Sequence, residues 1–525
     1  MAATIQNKEN TGLVLSNHFF YWIPSKDRKL LLIITLVGFF LRVWDLGRPS
    51  FWYDEVLTLQ RSEELFENSE GLLLRPPGFY FLVWLSIRLF GSSEAIVRFP
   101  SVIFGTLTIP LVYALANRLQ RDFPTSNQPI LAAAFLSGFP LHIVASREAK
   151  EYAFLTFLVL LVLILIIEAI YRESYKLVFI GAAVQTLALL TNFLALTIFL
   201  PICLFLWLQW PHGGESWRLG QSRAFASVLF ALFPATIYAS WLLIPREGFH
   251  EPTKGLGLSN WFGFGDFYFY LALFLLYLGL GIVFVLLGLI KWPNRRKERL
   301  FIIICYGLML LVLSLYQLKA QRYLVIAIPI TMILLAEGFQ QFRLLVLTWK
   351  PKFQSGKAKA GLSILLISSI MMMPALFISG YVIGGGNAGY HPDWRAACAY
   401  VKQNANYETD TFWSTHGTTR IAKYYLGADC EVGDAADLET VLSSLDDQGC
   451  LWIIVTKNRF ERKLSDSLQE QITTEGSLVW DTRAEDLTTQ LLADITSDIL
   501  SLLGVSTSNW WSLDRMRVYS LRNGQ

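Results

Sequence analysis

Long apolar segments separated by short polar connections run through the first 383 residues of the chain. About eleven of these segments are long enough to cross roughly 30 Å of hydrocarbon as helices. They lie near residues 30–46, 94–118, 128–143, 152–171, 177–191, 193–210, 224–244, 268–290, 300–316, 323–341 and 361–383. The pattern predicts a polytopic α-helical membrane protein.

A different pattern begins near residue 384, where the stretch GGGNAG is typical of a linker. Beyond it, DWRAACAYVKQN has the spacing of an amphipathic helix, and CLWIIVTKN and MRVYSL are typical of short strands. We therefore expect a transmembrane domain over residues 1–383 and a small α/β domain over residues 384–525.

The basic residues between the apolar segments predict which connections face the cytoplasm, because cytoplasmic connections carry an excess of lysine and arginine. Alternate connections hold them: Lys26, Arg28, Lys29, Arg118, Arg121, Arg172, Lys176, Arg218, Arg223, KWPNRRKER and residues 350–359. An odd number of crossings then puts the C-terminal domain on the opposite side. The sequence predicts a multi-pass protein of the plasma (inner) membrane with an external or periplasmic C-terminal domain.

The first external connection, residues 47–93, is long and carries two features of a structured platform at the outer leaflet. FWYDEVLTLQ, residues 51–60, places the adjacent carboxylates of Asp54 and Glu55 soon after an apolar segment, where charge is expensive and often functional. The alternative interpretation is that these two carboxylates belong to a solvated helix N-terminus and have no catalytic role. Between Arg75 and Gly91, an apolar stretch of about 14 residues is too short to span and predicts an interfacial helix.

Composition and charge exclude several other classes of protein. Residues are 54% hydrophobic with a mean hydropathy of +0.43, and the net charge of +3 gives no basic face for nucleic acid. The five cysteines form no CxxC pair and no zinc spacing. We predict no metal site, although a divalent metal held by His142, His250 and Glu148 stays open as an alternative.

Basic residues on the external side indicate an anionic ligand. They are Arg75, Arg98, Arg147, Lys150, Arg246, Lys254, Lys319 and Arg322. Snorkelling explains each of these residues singly, but it explains the charged run SREAKEYAF, residues 146–154, less well. A phosphate on a lipid carrier at the outer face needs such donors, and arginine meets its oxygens with two parallel hydrogen bonds.

Five motifs in order carry a resemblance to a known family: FWYDE, RPPGFYFLVW, IVRFPSVIFGTLTIPLVYALANRL, SREAKEYAF and QRYLVIAIPI. Together they resemble the GT-C superfamily of membrane glycosyltransferases, in the branch of protein O-mannosyltransferases and the lipid A aminoarabinose transferase. The motif match covers about the first 150 residues and, more loosely, the span near 323–341.

The resemblance implies an inverting transfer of a sugar from a polyprenyl-phosphate donor to an acceptor hydroxyl at the outer membrane face. It implies Asp54 as the general base, with Glu55 orienting an arginine or binding a metal. The implied substrate-binding residues are Arg75, Arg98, Arg147, Glu148, Lys150, Tyr152, Arg322 and Tyr323. The acceptor is left open among a protein, a lipid-linked glycan and a cell-envelope polysaccharide.

Two other classes of protein are compatible with a polytopic chain. A secondary transporter predicts repeated hydropathy halves and charges at the membrane midplane, whereas these charges gather at one face. A receptor or scaffold with an external domain does not require clustered acids and arginines. Turnover of a lipid-linked sugar distinguishes the enzyme from both alternatives.

Overall fold

The structure of the chain is a computed structural model. It describes residues 25–67, 76–120, 127–209, 218–243, 267–290, 297–317, 319–349, 361, 367, 392–415, 418–427, 430, 432–433, 438, 449–456, 464–481 and 516–522. The predicted linker at residues 384–389 and most of the predicted span at 361–383 lie outside these residues.

The N-terminal part is helical, because long runs without interior polar groups bury their backbone hydrogen bonds only as helices. Its α-helices are α1 (Ser25–Val43), α2 (Tyr53–Glu63), α3 (Gly78–Phe90), α4 (Glu94–Leu119), α5 (Gln128–Ser137), α6 (Pro140–Arg147), α7 (Tyr152–Tyr171), α8 (Tyr175–Leu189), α9 (Leu196–Gln209), α10 (Arg218–Leu243), α11 (Phe269–Leu278), α12 (Gly281–Ile290), α13 (Lys297–Leu315) and α14 (Ile328–Trp349). Short 3₁₀ helices cover Glu64–Phe66, Phe193–Ala195 and Gln321–Ala327.

Within the described residues, four helices are long and apolar enough to cross a membrane, or up to six if each of two bent pairs is one span. The protein therefore has the helices of a multi-pass membrane protein, and the expected total of about eleven spans stays a prediction.

Two segments expected as single spans are broken. Helices α5 and α6 meet at 54°, and α11 and α12 meet at 113°. Pro140 begins α6 and lacks the N–H that would continue the preceding helix, while Gly279 takes a φ of 50° between α11 and α12. Each of these two segments is therefore a bent pair of helices, and its expected crossing of the membrane stays a prediction.

Five chain segments pack together and position the site. Helix α6 packs against α1, α4 and the 3₁₀ helix Gln321–Ala327, and that 3₁₀ helix also packs against α7. A Cβ atom added at Gly105 of α4 would collide with the side chain of Ser146 on α6. Glycine thus permits the close approach of α4 and α6.

The C-terminal part is an α/β domain with helices α15 (Trp394–Asn404), α16 (Thr419–Leu426) and α17 (Asp466–Glu475). Its strands are β1 (Thr411–Ser414), β2 (Val432–Gly433), β3 (Cys450–Thr456), β4 (Ser477–Asp481) and β5 (Met516–Arg522). They pair in the order β2-β1-β3-β5-β4, with β1 parallel to β2 and β3 and with β5 antiparallel to β3 and β4. Strand β3 is central and buried along its length, as its uninterrupted apolar sequence requires.

Candidate active site

The two adjacent carboxylates of FWYDE lie in the first turn of α2, where the positive end of the helix dipole favours negative charge. Neighbouring helix positions point in different directions, so the two side chains enter different surroundings. Glu55 is fully buried, whereas the side chain of Asp54 is 20% exposed. The pair therefore consists of one interior carboxylate and one accessible carboxylate.

Glu55 forms a buried ion pair with Arg98 of α4. Arg98 Nε donates to Oε1 at 2.7 Å and Nη2 donates to Oε2 at 2.6 Å, a two-point arrangement suited to a carboxylate. The backbone N–H of Ala149 donates to Oε1 at 2.8 Å, and that of Trp52 donates to Oε2 at 3.4 Å. Both oxygens of Glu55 thus already accept hydrogen bonds from the protein.

Arg98 also holds the segment that leads into α2. Its Nη1 donates to the carbonyls of Leu46 and Pro49 at 2.9 Å each, and its Nη2 donates to the carbonyl of Ser50 at 3.0 Å. With the two bonds to Glu55, all five N–H groups of the guanidinium have protein acceptors. Arg98 therefore acts within the protein framework in this structure.

Arg147 is engaged in a similar way at the C-terminus of α1. Its Nη1 donates to the carbonyls of Leu41 and Arg42 at 3.3 Å each and of Trp44 at 2.6 Å. The last carbonyls of a helix lack intrahelical partners and favour a cation. Arg147, only 4% exposed, caps α1 and fixes its C-terminal end against α6.

Asp54 is paired with a residue from a distant part of the chain. Nη1 of Arg322, on the 3₁₀ helix, lies 2.9 Å from Oδ2 of Asp54. The Arg322 guanidinium also lies over the rings of Trp52 and Tyr323, at 5.4 and 5.9 Å from their centroids. Its buried Nε has no hydrogen-bond partner among the described residues, so this cation has unused donor capacity.

Lys150, in the connection between α6 and α7, is a second cation near Asp54. It is only 5% exposed, and its Nζ lies 3.7 Å from an oxygen of Glu151, which is longer than a hydrogen bond. Within the described part of the chain, Nζ makes no hydrogen bond. Burial by itself lowers the pKa of Lys150. The negative charges of Glu151 and Asp54 raise it by more than burial lowers it, so the ammonium stays charged.

The remaining predicted side chains line the same region. The rings of Tyr152 and Tyr323 lie 5.8 Å apart, and both residues adjoin the charged cluster. Glu148 is buried and its charge acts on Arg322. Two cations, two further carboxylates and two tyrosine rings thus lie around the accessible face of Asp54.

His142 takes part in a different network. Its Nδ1 lies 2.9 Å from Nη2 of the fully buried Arg42, whose Nε donates to Ser146 at 3.2 Å. No group of three potential metal ligands occurs among the described residues, and His250 is outside them. The geometry therefore couples His142 to Arg42 and to the packing of α1 on α6.

The chain is similar to several known proteins. The family model for dolichyl-phosphate-mannose-protein mannosyltransferases matches residues 74–241. The structure of ArnT from Cupriavidus metallidurans bound to undecaprenyl phosphate has a TM-score of 0.55 over 95% of this chain and 98% of its own, with 14% identity. The chain has the GT-C fold.

Two further relatives agree with the GT-C assignment. AglB, the oligosaccharyltransferase of Archaeoglobus fulgidus solved with an inhibitory peptide and a dolichol-phosphate, has a TM-score of 0.53 and 12% identity over 83% of this chain and 70% of its own. An uncharacterized protein of Aquifex aeolicus is 25% identical over 368 residues, covering 67% of this chain and 69% of that protein. The resemblance expected from the sequence motifs is confirmed.

The GT-C fold separates the predicted site residues into two groups. Five of them join Asp54 at the charged cluster: Glu148, Lys150, Tyr152, Arg322 and Tyr323. Arg98 and Arg147 lie within the framework beside Glu55 and α1, and Arg75 is outside the described residues.

Three residues near the cluster were not predicted as site residues. Tyr80 acts electrostatically on Lys150, Glu151 pairs with Lys150, and Asn192 donates to Glu151 at 3.1 Å. Glu151 and Tyr80 stand inside the motifs SREAKEYAF and RPPGFYFLVW, which offered a signal for both. Nothing in the sequence around Asn192 distinguishes it from other residues at a helix end.

Proposed function

We propose that the protein is an inverting glycosyltransferase that moves a sugar from a polyprenyl-phosphate donor to an acceptor hydroxyl at the outer face of the membrane. The observation that carries the proposal is the accessible carboxylate of Asp54 beside Arg322 and the buried, incompletely bonded ammonium of Lys150. The ammonium of Lys150 already has Glu151 as a counter-ion at 3.7 Å, but its N–H donors are left without hydrogen bonds among the described residues, which is costly for a buried group unless a ligand accepts them.

Lys150 and Arg322 hold the donor phosphate in this proposal. Both cations adjoin Asp54, and Arg322 keeps a buried Nε without a described partner. When the phosphate binds, Arg322 turns its donors toward the new anion, and Asp54 is released to act on the acceptor. The ligands bound to ArnT and AglB, undecaprenyl phosphate and dolichol-phosphate, support a lipid phosphate as the bound group.

The chemical step places Asp54 as the general base. The acceptor oxygen bonds to the anomeric carbon from the face opposite the phosphate, while its proton passes to Asp54. The bond from the anomeric carbon to the phosphate oxygen breaks, and its electron pair remains on the phosphate. Lys150 and Arg322 stabilise the charge that grows there, so their effect is largest in the transition state.

Glu55, Arg98 and Arg147 serve as positioning residues in this account. All five N–H groups of Arg98 and both oxygens of Glu55 are used by the protein, and Arg147 caps α1. A direct phosphate contact by Arg98, or by Nη1 of Arg147, would require breaking these buried bonds. We therefore revise the expected phosphate ligands to Lys150 and Arg322.

Lipid binding tests the assignment of Arg322. The protein is purified in a mild detergent, and co-purifying lipids are identified and quantified by mass spectrometry. Arg322→Gln is expected to lower the bound polyprenyl phosphate by about 10- to 100-fold, since charge-assisted hydrogen bonds contribute about 1.5–3 kcal/mol. Arg88→Gln is the matched control, because Arg88 is exposed at the end of α3 and pairs only loosely with Glu67.

A folded Arg322→Gln protein that keeps its lipid phosphate at the wild-type level would contradict this assignment. Loss of lipid from both variants equally would indicate a general effect of removing a basic residue.

The outer-face location of the reaction is tested by labelling. Lys402 is exposed on α15, whereas the native cysteines Cys398, Cys430 and Cys450 are buried. A cysteine at Lys402 should react with a membrane-impermeant thiol reagent applied to intact cells. A cysteine at Lys176, an exposed residue expected on the cytoplasmic side, should react only after permeabilisation. The reverse pattern would overturn the proposed orientation.

A further inference from the structure

The α/β domain contacts the segment that directly precedes Asp54. Ser50 Oγ donates to the carbonyl of Pro392 at 3.0 Å and accepts from the backbone N–H of Trp394 at 3.2 Å. The backbone N–H of Phe51 donates to the hydroxyl of Tyr425 at 2.6 Å. The entry to α2 is thus hydrogen-bonded to residues of α15 and α16.

A second set of contacts converges on Glu94, the first residue of α4. Arg395 of α15 forms an ion pair with Oε1 of Glu94, and its Nε donates to that oxygen at 3.1 Å. The Tyr425 hydroxyl donates to the same oxygen at 3.2 Å. We call Glu94, Arg395 and Tyr425 the domain latch.

Two arginines divide the carbonyls of the loop between α1 and α2. Arg395 donates to the carbonyls of Gly47 at 3.0 Å and Arg48 at 3.4 Å. Arg98 donates to the carbonyls at positions 46, 49 and 50 from the other side. Glu94 and Arg98 are four residues apart on α4, so one face of this helix supports both sets of contacts.

The protonation states agree with this hydrogen-bonding pattern. Burial raises the pKa of Tyr425 well above its ordinary value, so its hydroxyl keeps the proton that it donates to Glu94. Burial by itself lowers the pKa of Arg395. The negative charge of Glu94 raises it by more than burial lowers it, so the guanidinium stays charged. Tyr425 can therefore accept from Phe51 and donate to Glu94 at the same time.

We propose that the domain latch sets the position of Asp54, which makes the α/β domain a positioning part of the catalytic centre. Only two residues separate Phe51, held by Tyr425, from Asp54. A displacement of the base by about 1 Å can lower a rate by as much as about 100-fold. This inference rests on the proposed role of Asp54 as the general base.

The test uses Tyr425→Phe, which removes only the hydroxyl that Phe51 and Glu94 share. We expect kcat for glycosyl transfer to fall by about 10- to 100-fold, with the affinity for the donor lipid unchanged. Tyr424→Phe is the matched control. The ring of Tyr424 contacts that of Phe51 at 5.7 Å, and its hydroxyl makes no hydrogen bond to any residue in the described ranges.

A readout independent of transfer separates the latch from the proposed function. Hydrogen exchange of the peptide spanning residues 46–56 should be faster in Tyr425→Phe than in Tyr424→Phe and in the wild type. Unchanged exchange in Tyr425→Phe would overturn the latch whether or not the protein transfers sugar. Faster exchange with a normal kcat would overturn the positioning role alone, and a wild type without transfer would overturn the proposed function.

A double-mutant cycle of Arg395→Ala and Glu94→Gln tests the coupling between the two charges. The double variant should lose less activity than the product of the two single losses, because both substitutions break the contact between Arg395 and Glu94. Arg395→Lys, which keeps the charge, should recover part of the loss. Independent, multiplicative losses without recovery by lysine would assign Arg395 to the folding of its own domain.

Discussion

Asp54→Asn is expected to lower the rate of glycosyl transfer by about 10²- to 10⁴-fold, while the donor lipid stays bound. Asparagine keeps the size of the side chain and can still face Arg322, but it cannot accept the acceptor proton. Asp54 is 20% exposed and bonded through Oδ2 to Arg322, so its substitution leaves no fully buried charge without a partner. Transfer and lipid binding are measured on the same purified, folded protein.

Asp45→Asn provides the matched control for this prediction. Asp45 lies just after the C-terminus of α1, pairs with Arg48 at 3.4 Å and is 41% exposed. Its φ of 51° is a conformation that asparagine tolerates well. If Asp54 were only a solvated helix N-terminus, both variants would transfer sugar normally, with a stability change of about 1 kcal/mol at most.

Arg98→Ala is expected to destabilise the folded protein by about 3–5 kcal/mol, the typical result of removing one partner of a buried ion pair. The change leaves Glu55 buried without its cation and removes the donors of three loop carbonyls. Thermal unfolding in detergent should therefore begin at a distinctly lower temperature, together with faster proteolysis near residues 46–55.

A control variant and a compensating variant show what causes the loss of stability in Arg98→Ala. Arg88→Ala, at an exposed side chain, should change the free energy of unfolding by less than about 0.5 kcal/mol. Adding Glu55→Gln to Arg98→Ala should restore part of the lost stability, because the uncompensated charge is gone. An Arg98→Ala protein of normal stability that has lost its lipid would instead support the original expectation of a direct phosphate contact.

The apolar pattern predicted helix positions well where the sequence is uniformly apolar. The span expected at residues 152–171 coincides with α7, Tyr152–Tyr171. It did not show the bends within 128–143 and 268–290, because mean hydropathy carries no information about backbone direction. The bends at Pro140 and Gly279 depend on a missing N–H and a positive φ, which a hydropathy window does not register.

The sequence predicted which kinds of residue form the site, but it did not predict which of them bind a ligand and which hold the protein framework. The sequence places arginines at the outer ends of several spans and cannot show which donors meet backbone carbonyls. All five N–H groups of Arg98 are used by the loop at 46–50 and by Glu55, whereas Arg322 keeps a buried Nε without a partner among the described residues. Only tertiary structure distinguishes these roles.

The domain latch was beyond sequence reasoning for a related reason. Glu94 and Arg395 belong to different parts of the chain, and each alone is an ordinary charged residue at a helix start. Their pairing depends on how the α/β domain rests on the loop between α1 and α2. No local pattern encodes such a contact.

The proposed catalytic role of Asp54 is tested most directly by following donor cleavage in a single turnover. Purified wild-type and Asp54→Asn proteins in lipid nanodiscs are mixed with a panel of polyprenyl-phosphate hexoses and pentoses and with native membranes as the source of acceptor. The account predicts acceptor-dependent release of polyprenyl phosphate by the wild type, with inversion at the anomeric carbon, and release at least about 100-fold slower by Asp54→Asn. Equal rates for the two proteins, or no release by the wild type from any donor of the panel, would contradict it.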